Sequence, residues 1–232
     1  MNLDADFFKR RFEYLLDEPQ HSYRSIHEKL GWCIDQKLYI DTVLVSSGYL
    51  SLAAHLLEGT GIRTAAGISY PLGSLPIELA IHEAQEDILE GAQQVELVLP
   101  AGRIRGGEQT TVQSEVQEFC ECLGPVTTIS LVANLALLDY SEKTWCMLLA
   151  ARLGVGLRTN TGYESNESIA DILLAHQTVQ NDLVVTACGG VNTAELAIDL
   201  MQAGATRIAT FQLPEVITGL EYLIQMRKEN HP

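Results

Sequence analysis

Positive charge is what this sequence has least of. Fifteen lysines and arginines stand against 30 aspartates and glutamates in 232 residues, a formal net charge of −15. That balance argues against nucleic acid or an anionic membrane surface as partner, since both attract a positive field. Only five lysines occur: Lys9, Lys29, Lys37, Lys143 and Lys228. Long apolar runs are also missing. No stretch reaches the roughly 18 apolar residues that a transmembrane helix needs. The opening Met-Asn-Leu-Asp-Ala-Asp lacks the basic and apolar regions of a secretory signal, so a cytoplasmic protein is expected. Cys33, Cys120, Cys122, Cys146 and Cys188 are odd in number and lack the paired spacing of a zinc site. Free thiols in a reducing compartment are expected instead. The six histidines show no metal-ligand spacing either, so no metal site is expected. Neither a G-x-G-x-x-G nor a P-loop pattern follows the first strand, which counts against a dinucleotide site, and no cofactor is implied.

What is present is an apolar fraction of 47%, enough for one large core, arranged in a rhythm. Short aliphatic runs cover 42–46, 64–68, 94–99, 126–133, 154–157, 183–187 and 207–210. Amphipathic helices are expected over 49–57, 76–89, 109–123, 141–153, 165–177, 192–203 and 214–227. Strands alternating with helices imply βαβ units and a parallel sheet. Seven units are clear, one short of a (β/α)₈ barrel. Periodicity alone leaves a closed barrel and an open doubly wound sheet equally available. Phe7, Phe8, Phe12, Leu15 and Leu16 fit helical spacing over 4–16, so residues 1–20 read as a short helical extension to a single domain spanning 1–232. Ser22 is an N-cap candidate for a helix over 23–37.

Four motifs then suggest a family. Gly67-Ile-Ser-Tyr-Pro-Leu-Gly73, Glu90-Gly-Ala-Gln-Gln-Val-Glu-Leu-Val-Leu-Pro100, Arg158-Thr-Asn-Thr-Gly162 and Ala187-Cys-Gly-Gly-Val-Asn192 occur in this order, each near the end of a strand. Together they resemble the deoxyribose-phosphate aldolases, class I aldolases with a TIM-type barrel. The resemblance implies a (β/α)₈ fold with its site on the C-terminal face. It also implies a small anionic metabolite, such as a sugar phosphate, as ligand, and a homo-oligomer, often a dimer.

The departures from that family matter as much as the matches. Family members form a Schiff base on a strand-six lysine, assisted by a strand-seven lysine and a strand-four aspartate. By position these are Arg158, Thr186 and Glu96 here. Ser130 and Asn134 stand where strand five usually carries Lys and Glu. Arginine stays protonated and its nitrogen lone pairs are delocalised, whereas a Schiff base needs a neutral amine. The family's phosphate pocket would retain Gly162, Gly189 and Gly190, but Asn192 replaces an arginine and Phe211 adds bulk after strand eight. The family's first-strand motif aligns weakly with Phe12 to Leu16, leaving that segment open between strand and helix.

Several readings stay open at this level. Arg158 and Glu96 are expected in salt-bridge contact, either as an active clamp and base or as a structural pair in an emptied site, because a buried arginine must be paired. Gly189 and Gly190 either cradle an anion or serve a tight turn. Cys188 is expected to be an inert, small apolar residue. Arg103 and Arg105 are read as loop residues after strand four, and Trp32 and Trp145 as core or oligomer contacts. The functional alternatives are a silent, ligand- or partner-binding relative, a lyase or isomerase working without the lysine, and an aldolase with a relocated lysine.

Overall fold

The computed structural model describes residues 7–163, 168–180 and 183–230. Eight parallel strands close into a barrel in sequential order. They are β1 (Phe12–Leu16), β2 (Ile40–Val45), β3 (Arg63–Ile68), β4 (Gln94–Val98), β5 (Thr128–Val132), β6 (Gly156–Arg158), β7 (Val185–Cys188) and β8 (Arg207–Thr210). The helices are α1 (Tyr23–Asp35), α2 (Leu50–Leu57), α3 (Ile77–Leu89), α4 (Ala101–Arg105), α5 (Gln109–Leu123), α6 (Tyr140–Leu153), α7 (Ile169–Val179), α8 (Ala194–Ala203) and α9 (Leu213–Asn230).

The missing eighth unit lies in the segment read as helical. Phe12–Leu16 is β1, and it closes the barrel by pairing with both β2 and β8. The extension read over residues 1–20 therefore contains a barrel strand, and no helix precedes it among the described residues; residues 1–6 lie outside the described set. The physical reason is that β1 is buried on both faces. Phe12, Tyr14 and Leu16 join the outer core beneath the helices, and Leu15 joins the inner cluster with Leu44, Ala65, Cys188 and Ala209. A strand covered on both sides reads as an unbroken apolar run, and helical spacing fits such a run equally well.

Helix starts follow side-chain capping. Ser22 and Ser25 form a capping box at α1, and Asp139 and Glu142 form another at α6. Thr193 caps α8 by accepting from Leu196 N, so that helix begins at Ala194 and not at Asn192. The expected start of α7 at Ser165 lies outside the described residues, and α7 begins at Ile169. The segment after β4, read as loop, is the short helix α4. Its Arg103 is held by Glu108 and Glu115 at 2.9 and 2.7 Å, so it does not reach toward a ligand. Trp32 packs edge-on against Tyr14 at 5.8 Å between ring centres, a core contact as expected, and Trp145 packs against the same core. Among the described residues no helix is long and apolar enough to cross a membrane.

Candidate functional site

Inside the barrel the strand register sets three levels. At the floor, Arg10, Arg63 and Arg207 converge on Asp41. At mid-height lie Glu13, Glu96 and Arg158, all 0–1% exposed. Above them the apolar cluster of Leu15, Leu44, Ala65, Cys188 and Ala209 leads to the mouth.

Arg158 is the largest fully buried side chain described. Its Nη2 donates to Glu13 Oε1 and lies 2.8 Å from Glu96 Oε2. The Glu96 contact is the salt bridge expected from sequence. Glu13 was missed, although one signal was available: it is the lone carboxylate in the buried run Phe12–Leu16. Gln94 Nε2 donates to Glu96 Oε1 at 2.6 Å and fixes that carboxyl. Thr186 is the cross-strand neighbour of Arg158, but the ion pairs run to β1 and β4 instead.

The Glu96 carboxyl is raised to about 8: burial and the neighbouring Glu13 carboxyl push it up, while Arg158 and the Gln94 hydrogen bond pull it down. Burial also works against the charge on Arg158, but the Glu13 and Glu96 carboxylates more than offset it and hold the guanidinium above its usual range. A Glu96 carboxyl raised this far is mostly protonated at neutral pH, which limits the charge buried around Arg158, as a low-dielectric interior favours.

Three rings close the C-terminal mouth. Tyr163 meets Tyr70 and Phe211 edge-on, with ring centres 6.0 and 5.4 Å apart. The Tyr70 hydroxyl donates to Thr161 O, and the Tyr163 hydroxyl donates to Asp17 O at 3.2 Å. Two glycines make room for these rings. A Cβ on Gly67 would sit 2.8 Å from the Tyr70 ring, and one on Gly162 would sit 2.7 Å from Phe211. Phe211 thus occupies the space over Gly162 where the family resemblance puts a phosphate. Gly189 and Gly190 both adopt positive φ, which satisfies the steric reading of that pair. Asn134 accepts from Thr161 N at 3.1 Å, and Asn160 donates to Cys188 O at 3.1 Å, so the turn after β6 is clamped from both sides. Cys188 is fully buried in the apolar cluster. Among the described residues, no group of three or more His, Cys, Asp or Glu side chains could hold a metal.

The chain is 33% identical over 183 residues to the deoxyribose-phosphate aldolase of Actinobacillus succinogenes, covering 78% of this chain and 81% of that one. The chain belongs to the deoxyribose-phosphate aldolase family. The Aciduliprofundum boonei enzyme of the same name is 30% identical over 174 residues, covering 74% and 78%. No family model matches the chain. Among solved structures, the aldolase QR15 superposes with a TM-score of 0.83 at 21% identity, covering 95% of this chain and 97% of that one. The tetrameric deoxyribose phosphate aldolase of Aeropyrum pernix does so with 0.84 at 18% identity, covering 96% and 93%. These likenesses carry the barrel fold.

Replacing Arg158 alone, as Arg158→Met, strands the buried carboxyls and should cost about 3–5 kcal/mol. Adding Glu13→Leu and Glu96→Leu should restore much of that loss, as read by urea unfolding at neutral pH. A triple variant less stable than the single one contradicts a self-contained cluster. Glu96 also sets a pH dependence. Its folded pKa lies above the ordinary 4.5, so its stabilisation is complete in acid and lost as pH rises toward about 8. Asp17 and Asp87, each raised by burial to about 6, act in the same direction at lower pH. Between pH 6.5 and 8 the wild type should therefore lose stability, while Glu96→Gln should be nearly flat. Parallel slopes in the two proteins would show that Glu96 does not titrate there.

Proposed function

We propose that this family member has lost Schiff-base aldolase chemistry and serves as a ligand-binding or partner-binding barrel. The observation that carries the reading is Arg158. It stands at the C-terminal end of β6, where the family resemblance places the reacting lysine, and two buried carboxyls bind it. A guanidinium has no available lone pair with which to attack a carbonyl, and this one is held more firmly cationic than usual.

No lysine substitutes for it. Lys29 donates to the Tyr14 hydroxyl at 3.1 Å outside the barrel, and Lys143 pairs with Asp171 at 2.7 Å between α6 and α7. Lys9 and Lys37 lie in turns outside the strands, and Lys228 lies on α9. Access argues the same way. A lyase or isomerase using Glu96 as base would need substrate at a carboxyl that is 1% exposed beneath the aromatic cap. With Phe211 over Gly162, a sugar phosphate at Gly162, Gly189, Gly190 and Asn192 would require that ring to move.

The purified protein should release no acetaldehyde from deoxyribose 5-phosphate above the buffer rate. It should also acquire no mass after borohydride reduction with a short aldehyde. A stable adduct mapped to a side chain within the barrel, with turnover abolished by changing that residue, would refute the proposal.

A further inference from the structure

We propose that the floor of the barrel, the face opposite the aromatic cap, holds a binding site for a small hydroxylated anion. This goes beyond the proposed loss of aldolase chemistry and does not depend on it. In this fold the N-terminal face is ordinarily a place of structural packing. Here it opens into a cavity of about 420 Å³ whose wall includes Gln94, Thr128, Ser130, Gly156 and Arg207. That volume lies in the usual range for small-molecule sites, about 300–1,000 Å³.

Two independent features define the ligand. The first is charge. Three guanidiniums, from Arg10, Arg63 and Arg207, share the single carboxylate of Asp41, leaving a local cationic excess in a chain of net charge −15. Arg207 forms part of the cavity wall and reaches Asp41 at 3.2 Å. Arg63 stands one contact behind, donating to Thr128 Oγ1 at 3.3 Å. The planar, multidentate guanidinium suits a phosphate or carboxylate.

The second feature is an unmet acceptor. Gln94 is 2% exposed, lines the cavity, and spends its Nε2 on Glu96. Its Oε1 has no hydrogen-bond partner among the described residues. The same is true of Thr127 Oγ1 on the same wall. A buried carbonyl oxygen without a donor is costly; it has no surface open to the cavity in this state, so a ligand hydroxyl supplies that donor as the Gln94 amide turns toward the cavity. An anionic group at Arg207 and a hydroxyl at Gln94 together describe a short phosphorylated or carboxylated polyol. Because Gln94 also holds Glu96, such a ligand would sit one hydrogen bond from the Arg158 cluster.

Titration calorimetry on the full chain tests this with glycerol 3-phosphate and glycerate, and with glycerol and inorganic phosphate as partial ligands. Saturable binding of either three-carbon anion, tighter than glycerol or phosphate alone, supports the site and identifies the anionic group it reads. Arg207→Gln should weaken that binding about tenfold or more. Cys120→Trp, which adds bulk to the cavity wall, should weaken it as well. Leu137→Ala, on the opposite face, should leave it unchanged. If Arg207→Gln does not fold, Cys120→Trp decides alone. No saturable heat with either anion, or wild-type affinity in Cys120→Trp, would overturn the proposal.

Discussion

One guanidinium between two carboxyls governs the interior of this barrel. An isolated charge there would cost several kcal/mol or more, so Arg158 exists only because Glu13 and Glu96 face it from β1 and β4. The contact ties β6 across the barrel axis to two strands that are not its neighbours in the sheet. A lysine poised for chemistry needs the reverse: a weakly held proton, an open approach and room for a carbonyl. The three side chains here offer a firmly held cation, a carboxyl raised by burial and almost no exposed surface.

The surroundings are consistent with that centre. Above it, apolar side chains and three aromatic rings, with Tyr163 packed between Tyr70 and Phe211, replace the open mouth on which barrel enzymes depend. Phe211 and Tyr163 fill space at the turns that the family resemblance assigns to phosphate. The clamps by Asn134 and Asn160 hold the β6 turn against movement. Below the centre the polarity reverses: three arginines and one aspartate form a floor in which cations outnumber anions. Gln94 links the two levels through a single amide.

Much of this was legible in the residues. The alternation of apolar runs and amphipathic helices revealed seven of the eight units, and the motif order pointed to the closed barrel. The pairing of Arg158 with Glu96 followed from the need to neutralise a buried cation. β1 was hidden because burial on both faces erases the period-two alternation that marks a strand. Glu13 was lost with it, since an ionisable residue becomes conspicuous only once its segment is known to be barrel lining. The aromatic cap was beyond reach for another reason. Tyr70, Tyr163 and Phe211 lie 48 or more residues apart in sequence, and only the closed sheet brings them together.

The most direct test is a ¹³C NMR titration of the Glu96 side-chain carboxyl. If burial keeps Glu96 protonated beside Arg158, the resonance should stay in its protonated position through pH 7 and shift with a midpoint near 8. A midpoint at the ordinary 4.5 would mean that the interior does not hold Glu96 neutral, and the account of a sealed centre would be contradicted.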